Sequence, residues 1–168
     1  MTPQHRPGAL AALIVLALAC LTACTPIVTL DPAPDATNPD CAEVSVRLPK
    51  SVAGEPLRET NAQATAAWGN PASILLHCGV TVPGPSTLVC VTIRGVDWLY
   101  DPSGAPNYTF TTFGRDPATQ VVVNGDQTSG TNTLVDIATA VGSVPATKQC
   151  TNPDDVLGQP DPSPTPKK

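Results

Sequence analysis

Two apolar stretches decide the fold prediction: residues 72–79, ASILLHCG, and residues 88–94, LVCVTIR. Both are short, rich in aliphatic side chains and bounded by turn-forming residues, as β-strands typically are. If the loop between them turns about Gly84, the strands form a hairpin in which Cys78 faces Cys90. Facing residues at a non-hydrogen-bonded antiparallel position have Cα atoms about 4.5 Å apart, within the range that a disulfide accepts. We therefore predict a hairpin closed by a Cys78–Cys90 disulfide.

The remaining segments predict more strands and one clear helix. Short β-branched or aromatic runs occur at residues 65–68, 96–100, 109–113 and 120–123. Residues 42–48 fit either a strand or a short helix. In residues 133–142 the apolar side chains recur with helical spacing, Thr133 and Asp136 match a capping box, and Gly142 is a natural stop. The predicted fold class is α+β: a small, mostly antiparallel sheet covered by a C-terminal amphipathic helix and stapled by two disulfides.

The first 23 residues predict a lipoprotein signal peptide. A leader containing Arg6 precedes an uncharged apolar run, residues 9–19, which is too short to cross a bilayer as a permanent helix. The run ends in LTAC at residues 21–24, a pattern that resembles a bacterial lipobox, in which the thiol of Cys24 receives the lipid. The alternative is an ordinary secretory signal cleaved after Ala23. Lipidation of Cys24 predicts a protein held at the extracytoplasmic face of the cell membrane.

Signal cleavage and lipidation leave four of the six cysteines. An even number of cysteines in an exported domain predicts disulfides. If Cys78 bonds to Cys90, the second predicted disulfide joins the remaining two, Cys41 and Cys150. Such a bond would tie the start of the domain to its end and contribute about 4 kcal/mol by the loop-closure model. Metal-ligand spacings such as CxxC or HxxxH do not occur, so we expect no metal and no cofactor.

Composition divides the rest of the chain into one domain and two linkers. Residues 24–40 hold the lipidated cysteine and a proline-rich tether, residues 41–151 form a single domain, and residues 152–168 are a proline-rich tail that cannot bury a core. The formal charge of the 168-residue chain is −5, which does not favour nucleic acid as a partner.

Residues that could carry chemistry are few. Sequence motifs for nucleophilic, metal-dependent or phosphate-binding catalysis do not occur, so no catalytic residue is predicted. His77 could act as a base, and Asp97, Asp101 and Asp116 could pair, but such residues are more often a half-buried sheet side chain and turn formers. The candidate binding residues are two tryptophans and two charged neighbours: Trp68, Asp97, Trp98 and Arg115. Tryptophans more often fill a core, and Arg115 could bind an anion or simply pair with an aspartate.

Several motifs, in order, resemble a known family. They are Cys41, Leu48-Pro49, Arg58, AWGNP at residues 67–71, LHCGV at 76–80, Cys90, GVDW at 95–98 and TTFGRDP at 111–117. This series is similar to the exported actinobacterial lipoproteins grouped as domain of unknown function 3515. An Arg commonly precedes the Cys-Gly-Val of that family, whereas this chain has His77. The resemblance implies an exported lipoprotein and carries no assigned activity.

These observations predict a membrane-anchored, non-enzymatic module that binds or scaffolds a glycan or protein of the cell envelope. A cell-envelope enzyme acting on glycan or peptide is the alternative, with Asp97, Arg115 or His77 as its acting residues. A purely structural or inhibitory module is the third possibility.

Overall fold

A computed structural model describes residues 26–151 of the chain. The predicted signal peptide, Cys24 and the predicted tail lie outside these residues. Eight strands form one antiparallel sheet: β1 (Ser51–Val52), β2 (Glu55–Arg58), β3 (Thr65–Trp68), β4 (Ile74–Val80), β5 (Val89–Ile93), β6 (Val96–Asp101), β7 (Asn107–Thr112) and β8 (Ala118–Asn124). Their order is β1-β2-β3-β4-β8-β7-β6-β5, so two four-stranded meanders are joined where β4 pairs with β8.

The sheet has a core face and an outer face. On the core face, aliphatic residues such as Ile74, Leu76 and Val121 are fully buried. The outer face carries the alternate residues, with Leu99, Thr111, Gln120 and His77 aligned across four strands. This alternation follows from the two-residue period of an extended chain.

Two short helices pack against the core face. Helix α1 (Pro39–Val46) begins after Asn38, whose side chain accepts a hydrogen bond from the Asp40 amide at 3.0 Å, and it packs against β4. Proline at the first helical position needs no partner for its missing N–H. Helix α2 (Gly130–Val141) contacts β1, β5, β8 and α1. Neither helix of residues 26–151 is long and apolar enough to cross a membrane.

Helix α2 buries the apolar residues that its sequence pattern indicated, namely Leu134, Ile137, Ala138 and Val141. The predicted capping box is wrong, because the helix begins one turn earlier and Ser129 is the capping residue. The carboxylate of Asp136 instead accepts a hydrogen bond from the Ala53 amide at 2.7 Å, which holds the β1–β2 turn against the helix.

The predicted α+β class, with a small sheet and one covering helix, is wrong. The fold is mostly an eight-stranded antiparallel sheet with two short helices. Strands β1 and β2 were not predicted because they have two and four residues, mostly exposed or half-buried, and therefore show no alternating apolar pattern. Residues 42–48, which the sequence left ambiguous, belong largely to α1.

The predicted hairpin between residues 72–79 and 88–94 is also wrong. Strand β4 is buried at most positions and pairs on both sides, with β3 and β8, whereas β5 pairs only with β6. Because β3 and β8 pair with the two hydrogen-bonding edges of β4, no edge of β4 is left for β5 to form a hairpin with it. The connecting residues 81–88 therefore cross the outer face of β8, β7 and β6 to reach the far edge of the sheet.

The two disulfides are present, but both predicted pairings are wrong. Cys78 faces the core and bonds to Cys41 of α1, with Cα atoms 5.6 Å apart. Cys90 lies opposite Leu99 on the outer face and bonds to Cys150, with Cα atoms 6.2 Å apart. Because Cys78 and Cys90 lie on opposite faces of non-adjacent strands, no disulfide can join them.

Residues that precede α1 also contact the sheet. Val28 forms a parallel bridge with Thr60, and the Asp35 amide donates to the carbonyl of Gly79 at 2.9 Å. Ala36 is buried by the same approach. Within the predicted tether, the residues from Pro26 onward therefore lie against the domain.

Candidate functional site

The two tryptophans proposed as binding residues lie in the core. Trp68 and Trp98 are fully buried, on strands separated by β4, β8 and β7. The indole N–H of Trp68 donates to the carbonyl of Pro49 at 3.1 Å, whereas that of Trp98 has no partner within residues 26–151. Both rings thus fill the space between sheet and helices and do not meet in an open groove.

Arg115 and Asp97 each bind backbone atoms instead of each other. The Arg115 side chain is 6% exposed and donates to the carbonyls of Gly95 and Val144, which ties the β5–β6 turn to the segment after α2. Asp97 accepts from the Thr92 hydroxyl at 2.6 Å and from the Cys150 amide at 2.8 Å. Both residues line a cavity of about 190 Å³. Burial lowers the pKa of Arg115, and the nearby Asp97 opposes this effect.

The other titratable candidates stand apart. His77 is half-buried on the outer face, where burial lowers its pKa against the opposing charge of Asp31, and its Nδ1 has no partner among the described residues. Asp101 accepts a hydrogen bond from the Ser103 amide at 2.9 Å, as a turn-forming aspartate does. Hydrogen bonding to the Ser103 side chain, together with this backbone contact, lowers the pKa of Asp101. Residues 26–151 contain no cluster of His, Cys, Asp or Glu suited to hold a metal ion.

A different set of residues forms a groove where the sheet and the N-terminal end of α2 separate. We call it the aromatic groove; it has a volume of about 420 Å³ and is lined chiefly by Val91, Ile93, Tyr100, Tyr108, Phe110 and Leu134. The ring of Tyr100 stacks on Phe110 with centroids 5.2 Å apart and tilts against Tyr108 at 5.8 Å. None of its lining residues is charged.

Two glycines make room for these rings. A Cβ atom at Gly125 would lie 2.3 Å from the Tyr108 ring, and one at Gly130 would lie 3.0 Å from the end of Phe110. Any larger residue at Gly125 would therefore displace Tyr108. The aromatic groove thus depends on backbone positions that carry no side chain.

A second groove, which we call the outer groove, lies beside β5 on the outer face of the sheet. It has a volume of about 510 Å³ and is lined by residues of the 84–88 loop together with Val89, Cys90, Leu99, Phe113 and Lys148. Lys148 is the one charged residue among those that line it. A neighbouring groove of about 590 Å³ continues along the other side of the loop, above Thr109, Thr111 and Gln120.

Sequence reasoning selected the tryptophans and missed the tyrosines. The signal was present, because Tyr108 and Phe110 are two residues apart on one strand and so share a face. Tyr100 joins them because β6 and β7 are neighbours, with Tyr100 directly opposite Phe110. The short connection 102–106 could have indicated that pairing.

Comparison with known proteins gives one result. No curated protein and no solved structure gives a significant match to the chain. The sequence model of a family described as "Protein of unknown function (DUF3515)" matches residues 8–150. The match includes every helix and strand described above. Because it spans well over half of the chain, this protein belongs to the DUF3515 family.

Proposed function

We propose that the protein is a lipoprotein of the actinobacterial cell envelope, anchored through Cys24 at the extracytoplasmic face of the membrane, where it binds or scaffolds an envelope component without catalysing a reaction. The LTAC pattern at residues 21–24 supports the anchor. The two disulfides support an oxidising compartment outside the cytoplasm, because disulfides are rare in reducing ones.

The aromatic groove is the observation that carries the binding role. Binding sites are typically concave and lined by apolar and aromatic side chains that are already in place. Tyr100 and Tyr108 are only partly buried, and neither hydroxyl has a hydrogen-bond partner within residues 26–151. These rings therefore offer both an apolar surface and unused polar atoms to a ligand.

Binding is tested by co-sedimentation of the purified full chain with delipidated envelope particles. We expect Tyr100→Ala combined with Tyr108→Ala to weaken binding at least about tenfold, since the loss of one well-packed aromatic anchor costs over about 1.4 kcal/mol. Leu57→Ala, at an exposed position on β2, serves as the matched control, and Tyr100→Phe, which keeps the ring, measures the contribution of the hydroxyl. Failure of the wild-type chain to sediment, or equal sedimentation of the double variant, would contradict the binding role.

The anchor is tested separately by metabolic labelling with an alkyne fatty acid in cells that make the wild-type chain or Cys24→Ala. We expect label on the wild-type chain alone. Equal labelling of the two proteins would remove Cys24 as the attachment point.

A further inference from the structure

The two edges of the sheet differ in how they are protected. Strand β1, at one edge, has two residues, and its neighbour β2 contains Pro56. Short edge strands and prolines are devices that prevent further strands from pairing. Strand β5, at the other edge, has five residues, VCVTI, with no charge and no proline. The β5 edge therefore lacks the short length, the proline and the charge that protect other edge strands.

The backbone of β5 presents unused hydrogen-bonding groups. The β5–β6 turn has two residues, Arg94 and Gly95, both with positive φ, and Ile93 faces Val96 across it. In such a hairpin the residues that flank the turn hydrogen-bond to each other, and bonded and non-bonded pairs then alternate. Cys90 and Thr92 consequently direct their N–H and C=O groups away from β6. No other segment of residues 26–151 donates to or accepts from these groups.

The β5 edge also has a groove on each of its faces. Val91 and Ile93 line the aromatic groove, whereas Cys90, on the opposite face, lines the outer groove. Side chains of an added strand would point alternately to the two faces. Strand addition of this kind takes its affinity from main-chain hydrogen bonds and its specificity from pockets for alternate side chains. Val89 and Thr92 are exposed, Val89 to 62%, so β5 is accessible.

We propose that β5 binds an extended segment of a partner protein, which adds a ninth strand with apolar side chains toward the aromatic groove and an acidic side chain toward Lys148. This proposal rests on the proposed binding function and specifies its partner. Lys148 is the one charged residue among those that line the outer groove, which Cys90 also lines. Beside Thr92 the carboxylate of Asp97 disfavours a second acid, so a single acidic residue is expected on that face.

A second copy of this chain fits the same edge poorly. If β5 paired with β5 of another copy, it would bring VCVTI, which has no carboxylate, toward Lys148. Each copy would also bring Arg94, which adjoins β5, so the pairing would gather positive charges. An acidic partner strand removes both difficulties.

The test uses the full chain in detergent with its disulfides intact and short synthetic peptides of alternating valine and threonine. In the first peptide one central threonine is replaced by glutamate, and in the second by lysine. The third is the glutamate peptide with alternate backbone amides methylated. Fluorescence anisotropy measures affinity, and hydrogen exchange at the Thr92 amide reports strand pairing. We expect saturable binding of the glutamate peptide, slower exchange at Thr92, and no measurable binding of the methylated peptide.

Variants of the chain separate the backbone contribution from the charge. Thr92→Pro removes the outward N–H and should lower the affinity for the glutamate peptide about tenfold. Thr92→Val loses only the side-chain hydrogen bond to Asp97, and its affinity should stay within about twofold of wild type. Lys148→Glu should lower the affinity for the glutamate peptide about fivefold and raise the affinity for the lysine peptide. Lys148→Arg, which keeps the charge, should change neither affinity. Circular dichroism of each variant confirms that the sheet has formed.

Each outcome has a defined reading. Equal binding of the methylated peptide, or binding indifferent to Thr92→Pro, overturns strand addition. Self-association that Thr92→Pro abolishes assigns the β5 edge to a second copy and overturns the partner. If envelope particles still bind through Tyr100 and Tyr108 while no peptide binds, strand addition at β5 is wrong and the proposed binding function stands. If neither the particles nor the peptides bind, both proposals are wrong.

Discussion

Gly79 is a position where a single added methyl group should lower stability strongly. It lies in β4 with φ +89°, and a Cβ atom placed there would be 2.3 Å from the carbonyl carbon of Asp35 and 2.6 Å from the amide nitrogen of Ala36. Such distances are far inside van der Waals contact, and both neighbours are backbone atoms that cannot rotate away. Gly79→Ala must therefore separate the 35–36 segment from the sheet.

The expected loss is about 3 kcal/mol in the free energy of unfolding. About 1 kcal/mol comes from an alanine forced to positive φ. About 1 kcal/mol comes from the broken hydrogen bond between the Asp35 amide and the Gly79 carbonyl. About 1 kcal/mol comes from exposing Ala36, which is 5% exposed in the native fold.

Gly95→Ala is the matched control. Gly95 has a similar φ of +77°, but a Cβ atom there meets nothing within 4 Å, so the change costs only the conformational part, about 1 kcal/mol. Urea unfolding with intact disulfides measures both losses, and limited proteolysis of residues 26–38 should accelerate only in Gly79→Ala. Equal losses for the two variants would refute the close approach of the 35–36 segment.

Three further predictions concern stability. Replacing both Cys90 and Cys150 with serine opens a loop with a sequence separation of 60, which should lower the free energy of unfolding by about 4 kcal/mol in urea titrations; a loss under about 1 kcal/mol would contradict this. Burial lowers the folded-state pKa of His77, so below the ordinary histidine pKa of 6.5 the unfolded chain binds more protons than the folded chain. The free energy of unfolding should therefore decrease as the pH is lowered below 6.5. His77→Gln should flatten that fall in urea titrations at several pH values, and parallel curves would count against it. Arg115→Lys should lower the free energy of unfolding by about 2 kcal/mol, because an ammonium group cannot replace a guanidinium that donates to two separate carbonyls. An unchanged midpoint of thermal unfolding would contradict that role.

Local patterns predicted the elements better than their arrangement. Residues 65–68 are β3 itself, and the other predicted strands overlap β4 to β8. The apolar spacing of α2 was also read correctly at Leu134, Ile137 and Val141. Those signals are short-range, since side-chain direction along a strand or helix follows from backbone periodicity alone.

Pairing between distant segments was not predictable in the same way. Two strands joined by a turn-rich loop suggest a hairpin, but the two edges of β4 pair with β3 and with β8, and β8 is about forty residues away in the sequence. The disulfide partners followed that choice, because Cys78 faces α1 and Cys90 faces the segment that ends at Cys150. The proposed binding edge depends on the same strand order, since β5 must lie at an edge of the sheet.

The amino-acid sequence by itself determined most of the segments that extend and which helix is amphipathic. Tertiary structure alone decided that the tryptophans are core residues, that Tyr100, Tyr108 and Phe110 form an open groove, and that β5 is left with an unpaired edge. The physical reason is that periodicity is a property of neighbouring residues, whereas burial and edge position depend on how distant strands compete for the same core.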